Sequence, residues 1–209
     1  MTYSPAQAGV MTGEDYFRSV GVLQDGMLPI VASSGAYPAF DSTGGTAITI
    51  TDSVAAAGAA YTSSFAAYDV SGKSKILFLS YQHTGASSHG VGIGLHDSTD
   101  EGPLTTSYKD VYQYVIADAG ATLYSTPGWS LIGSDTTIGN ATTVTTNIVG
   151  MAIYADGTDV KTFFKGGSTS QWIQIFSALD SSHTNYDQVW LKFTGQSTRF
   201  ITPVMCWGS

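Results

Sequence analysis

The stretch from Asn147 to Trp207 constrains the fold more than any other part of the chain. Five short apolar and aromatic runs follow one another there: Asn147–Ala155, Asp159–Lys165, Gln171–Phe176, Gln188–Phe193 and Arg199–Trp207. Asp156-Gly157-Thr158, Gly166-Gly167-Ser168 and a Ser- and Asn-containing segment separate them. Runs this short, broken by residues that favour tight turns, are too brief for packed helices and fit antiparallel strands.

The preceding residues repeat the theme. Thr46-Ala-Ile-Thr-Ile-Thr51 alternates and is expected to be the first sandwich strand. Gly58 interrupts Val54–Ala60, which reads as a loop or small helical turn, and Tyr61–Val70 is a β-like mix. Lys75–Tyr81 is expected as a buried strand, and His83–Gly90 as the loop of a hairpin. Val91–His96 alternates with glycine on one face, which allows close approach of another backbone or sheet. After an acidic excursion over 97–110, Val111–Ala117 reads as a strand; Thr122–Tyr124, Trp129–Ile132 and Thr143–Thr146 are weaker ones. No helix-period segment of useful length interrupts the series. The fold class this implies is all-β, an antiparallel β-sandwich.

Residues 1–45 differ. Pro5, Pro29 and Pro38 remove backbone donors, and glycines at 9, 13, 21, 26, 35, 44 and 45 add freedom. The expectation is an extended N-terminal arm over 1–45, with at most a short helix around Gly13–Arg18, preceding a sandwich over 46–209. Contact with neighbouring subunits is the favoured placement for such an arm; packing along its own sandwich is the alternative.

Composition narrows the partners. The net charge of −8, with only eight scattered Lys and Arg, lacks the basic cluster that phosphate binding needs, so nucleic acid is not expected. No apolar run approaches the roughly 20 residues of a spanning helix, so no membrane role is expected either. Charged residues make up 11% of the chain, well under the usual quarter. Ser, Thr, Asn, Gln and Gly take their place, as in extracellular lectin-like domains and particle proteins. Such a surface also suits burial in an assembly, because charge is depleted in interface cores. Cys206, the single cysteine, cannot form an internal disulfide. Met1-Thr-Tyr-Ser-Pro5 has no signal-peptide character, so synthesis in a host cytoplasm is expected.

Candidate chemistry is sparse. Hydrolysis of a glycoside needs paired carboxylates projecting from one strand face. The only glutamates, Glu14 and Glu101, lie in the arm and a loop, so no catalytic residues and no enzyme activity are expected. His83 and His89, flanking one predicted hairpin, together with Asp97 form a candidate metal site, against the plainer reading of a polar loop. The 97–101 loop lacks the ligand spacing of an EF-hand, and no cofactor is expected. Trp129, after Pro127-Gly128, is the candidate for stacking on a glycan, whereas Trp172 and Trp190 lie in apolar runs and are expected in the core.

The C-terminal strands resemble the concanavalin A-like lectin/glucanase jelly roll. Gly150-Met-Ala-Ile-Tyr-Ala-Asp-Gly157, Val160–Phe164, Trp172–Phe176 and the closing strand Phe200–Trp207 carry the resemblance, about a third of the chain. Versions of this domain recur in phage tail, fibre and capsid-decorating proteins. The resemblance and composition together lead to the expectation of a non-enzymatic structural protein of a phage particle, located in the virion. Its partners would be other virion proteins and symmetry-related copies of itself. The alternative is a lectin-like module that attaches to cell-surface glycans.

Overall fold

The computed structural model describes residues 13–31, 41–42, 49–51, 54–56, 63–69, 74–83, 90–96, 112–117, 120–125, 130–135, 148–166, 169–179, 186, 188–194, 198–200 and 205–208. Among them, one helix, α1 (Gly13–Ser19), precedes the strands. In chain order these are β1 (Leu28–Val31), β2 (Asp41–Ser42), β3 (Thr49–Thr51), β4 (Val54–Ala56), β5 (Ser63–Asp69), β6 (Ser74–His83), β7 (Gly90–His96) and β8 (Tyr112–Ala117). There follow β9 (Gly120–Ser125), β10 (Ser130–Asp135), β11 (Val149–Ala155), β12 (Asp159–Gly166), β13 (Thr169–Leu179), β14 (Gln188–Thr194), β15 (Thr198–Phe200) and β16 (Met205–Gly208).

The strands form two antiparallel sheets. The first runs β13-β12-β11-β6-β15-β4-β3, with β16 pairing both β6 and β1, making nine described strands. The second, of seven, runs β10-β9-β8-β7-β14-β5-β2. The expected all-β sandwich is the observed architecture. Val54–Ala56 is a strand paired with β15, not the loop or helical turn expected of it. Alanine favours helix in isolation, but the ladder to Thr198 and Arg199 overrides so short a local preference. Thr143–Thr146 lies outside the described residues.

Strand β11 shows how the layers are stacked. All seven of its residues are buried, which a strand facing water on one side does not allow. Met151 and Ile153 stand in register with Leu79 and Leu77 of β6, and with Phe164 and Thr162 of β12, in the layer between the two sheets. The alternate residues Ala152 and Tyr154, opposite Phe78 and Ile76, look the other way. There they meet a second core, built from Phe17, Val22, Leu23, Met27, Ile76, Phe78, Phe163 and Trp172, with Tyr16 and Trp207 at its rim.

That second core is built on the N-terminal segment. A seven-residue helix is marginal alone, so α1 is held by what it buries. Glu14 and Asp15 in its first turn and Arg18 in its last suit the helix dipole. The exposed Arg18 pairs with Glu14 and Asp25 at 3.3 Å each and contributes little. Phe17 is the anchor: fully buried, its ring centroid lies 5.0 Å from that of Trp172 and 5.2 Å from those of Phe78 and Phe163. Gly21, at φ 75°, turns the chain back so that the Val22 and Leu23 amides both donate to the Phe17 carbonyl at 2.9 Å. The chain then enters β1, which pairs with β16. Residues 13–31 therefore pack on their own sandwich, the alternative placement of the arm.

Candidate functional site

Of the site residues proposed from sequence, the structure describes only His83. Trp129, His89 and Asp97 lie outside the described residues. His83 ends β6 in the nine-stranded sheet, opposite Thr198 of β15. Gly90 begins β7 in the other sheet, so the segment between them crosses from sheet to sheet. The hairpin expected to join His83 and His89 is therefore absent. His96, at the far end of β7, is six residues beyond Gly90, about 20 Å along the strand. Among the described residues, no three His, Cys, Asp or Glu side chains gather in one place.

The Asp156 turn is the best-ordered polar cluster. Its Oδ1 accepts from the Thr158 and Asp159 amides at 2.9 and 2.8 Å, and Oδ2 accepts from the Tyr154 hydroxyl at 2.8 Å. Gly157 supplies the positive φ, 85°, that the two-residue reversal between β11 and β12 requires. Lys161 closes the group, 3.2 Å from Asp159 and 5.7 Å from the centre of the Tyr154 ring. Partial burial opposes the Asp156 charge, but the two amides, the Tyr154 hydroxyl and Lys161 outweigh it and hold the carboxyl below its ordinary value. Burial, then the Asp156 bond and the nearby carboxylates, push the Tyr154 phenol well above its own. Each polar atom named here is used locally. The cluster pins a hairpin and leaves no donor set for a ligand.

The seven-stranded sheet brings a second set of polar residues into register. Which of its faces points outward follows from Gly133: a Cβ there would lie 2.8 Å from the Phe176 ring, so Gly133 looks toward the other sheet. In the ladders Gly133 stands opposite Leu123, Leu123 opposite Tyr114, and Tyr114 opposite Ile93. That row, with the fully buried Val91 and Leu95 in step, is the inner face. The alternate row therefore belongs to the outer face: Ala67, Trp190, Gly94, Gln113, Tyr124 and Leu131, one from each of six adjacent strands. Asp69, Gln188 and His96 form the row on one side; Lys192, Gly92, Val115 and Thr122 form that on the other.

Two features of this face matter chemically. Gly92 and Gly94 remove two side chains from its middle strand, which lets neighbouring groups close over the backbone, and both are buried. Around them the ladder rows carry Trp190, Tyr124, Gln113, Gln188, Asp69, His96 and Lys192. Trp190 stands in β14 in the same row as Gly94, and its side chain is outside those the structure describes.

No protein-family model matches the chain, and no curated protein sequence matches it. Solved structures share its architecture. The VIP36 exoplasmic/lumenal domain in its Ca2+/Man-bound form superposes with a TM-score of 0.60 at 10% identity, covering 86% of this chain and 88% of that one. The chain has the concanavalin A-like lectin/glucanase fold. A β-glucanase of Bacillus licheniformis gives 0.53 at 5% identity, covering 90% of this chain and all of that one. Metal-free lectin I-B4 of Griffonia simplicifolia gives 0.53 at 8%, covering 87% and 98%. At these identities the likeness is one of fold.

Proposed function

We propose that the protein is a carbohydrate-binding module that recognises glycans on the outer face of its seven-stranded sheet and acts by binding rather than hydrolysis. The observation that carries this reading is the ladder row Trp190–Gly94–Gln113–Tyr124, flanked by Asp69, Gln188 and His96. Aromatic faces suit the apolar sides of sugar rings, while amides and the carboxylate suit their hydroxyls. The shared fold supports the reading, since its neighbours include a lectin and a form bound to Man. The acidic loop 97–101 lies outside the described residues, so no cation is assigned to this chain.

Glycan-array screening followed by calorimetry tests the proposal. A bound glycan should be lost on Trp190→Ala or Gln113→Ala, with the melting temperature unchanged by either. Absence of any glycan binding, or a Trp190→Ala protein that unfolds, would overturn it. Incubation with β-glucans should release no reducing sugar; turnover abolished by Asp69→Asn would show an enzyme instead.

A structural place on a phage particle is the second reading, favoured by the 11% charged composition. There the same face would serve attachment. Co-purification with virions that survives loss of glycan binding would favour it.

A further inference from the structure

Among the described residues of the seven-stranded sheet, Lys192 is the only lysine or arginine, and it stands inside the sheet rather than at its border. Its strand, β14, has β7 on one side and β5 on the other. Lysines that protect a sheet sit on edge strands, where they repel a further strand; an interior strand needs no such protection. Lysine is also depleted in strands generally. Its place on β14 therefore asks for another reason.

The ladders show what surrounds it. On the outer face Lys192 stands opposite Phe65 of β5 and Gly92 of β7. The residues in step with it on the same strands are Trp190 and Thr194, two small residues of β5 and two further glycines of β7. None of these neighbours is charged. The carboxylates described on this face are Asp69, opposite Gln188, and Asp41 of β2, opposite Ala67. Strand spacing places each roughly 12 Å or more from Lys192, Cα to Cα, and neither is a ladder neighbour. In a chain of net charge −8, this face thus sets one ammonium group among aromatic, hydroxyl and small residues.

We propose that the glycan taken by this face is acidic, and that Lys192 reads its carboxylate or sulfate while the sugar ring bearing that group lies against Trp190. The inference rests on the glycan reading above and names its ligand class. Neutral sugars are held by amide and hydroxyl hydrogen bonds and need no cation. An ammonium among uncharged neighbours favours an anion, and lysine, acting as a point charge, takes a carboxylate or a sulfate alike. Trp190 precedes Lys192 by two residues on the same face, about 6–7 Å along the strand. That is about the breadth of one pyranose ring with its acidic substituent. The negative charge of the whole chain gives no general attraction for polyanions, so the acid is read locally, at this residue.

A glycan array printed with matched pairs tests the proposal: uronate- or sialate-bearing glycans against their carboxyl-reduced forms, and sulfated glycans against their desulfated forms. The acidic member of a pair should bind at least about tenfold more tightly. Its affinity should fall between about 0.05 and about 0.5 M salt, while that of the neutral member holds. Lys192→Gln should abolish the preference and Lys192→Arg should keep it. Lys165→Gln, an equal change of charge on β12 of the other sheet, should alter neither. Preference confined to the carboxylate pairs or to the sulfate pairs identifies which acid is read. Equal or tighter binding of the neutral members overturns the acidic class and leaves the glycan reading standing. A Lys192→Gln protein that keeps the preference overturns the role of Lys192. Absence of any glycan binding overturns this inference together with the reading beneath it. Should Lys192→Gln misfold, the matched pairs and the salt series on the unaltered protein decide.

Discussion

Replacing Phe17 by Ala removes the fully buried side chain that ties the N-terminal helix to the sandwich. The ring is fully buried and lies 5.0–5.4 Å, centroid to centroid, from Tyr16, Phe78, Phe163 and Trp172. Truncating a buried Phe costs about 3–5 kcal/mol, the transfer term plus the cavity left behind. Two features push this case toward the upper end. Tilted and edge-on ring pairs add about 0.5–1.5 kcal/mol each beyond buried area, although they do not sum. Moreover, a seven-residue helix has little stability of its own, so losing its anchor undocks the whole turn. Taking about 4 kcal/mol, and 2–4 °C per kcal/mol for a chain of this size, the melting midpoint should fall by roughly 8–16 °C. Urea unfolding followed by tryptophan fluorescence measures the loss directly, since Trp172 contacts Phe17. Deleting residues 1–28 should be more severe still, because it strips Phe78, Phe163 and Trp172 of their cover. That outcome is the opposite of the free-standing sandwich expected when residues 1–45 are read as a detachable arm. A Phe17→Ala protein within 1 kcal/mol of the parent would refute the argument and restore the arm.

Two further outcomes are expected. Thr162, buried between the sheets, has a hydroxyl with no hydrogen-bond partner among the described residues, so Thr162→Val should stabilise the fold by about 1 kcal/mol in urea titrations; a destabilised Val variant would mean the hydroxyl is satisfied. Asp156 has its carboxyl held below the ordinary 3.8, so its contribution is complete above that pH and drains away as pH falls through the lower folded value. The stability gap between the parent and Asp156→Asn should accordingly be constant at neutral pH and close only below about pH 4; a gap that widens with acid would reverse the sign of the argument.

Much of the fold was legible because β-structure advertises itself locally. The alternation of threonine with apolar residues over Thr46–Thr51, and of glycine with Val91, Ile93 and Leu95, is a period-two pattern that few other structures produce. Asp156-Gly157 is a turn on chemistry alone: a side chain that accepts from the next amides, followed by a residue free to adopt positive φ. These features depend on neighbours within a few residues, so the sequence by itself determined an antiparallel sandwich and placed its C-terminal strands. Partnership across the chain was decided elsewhere. Nothing near His83 and Gly90 says that one belongs to each sheet, since a sheet-crossing loop and a hairpin share the same turn residues. Nothing near Phe17 says what covers it, because a short amphipathic turn serves a neighbouring subunit as well as its own domain. Both faces of β11 are apolar, and the second face acquires its meaning only when Phe17 and Leu23 arrive from far away in the chain. The candidate glycan face has the same origin: Trp190, Gly94, Gln113 and Tyr124 form a row only through the ladders, and only Gly133 against Phe176 tells inside from outside.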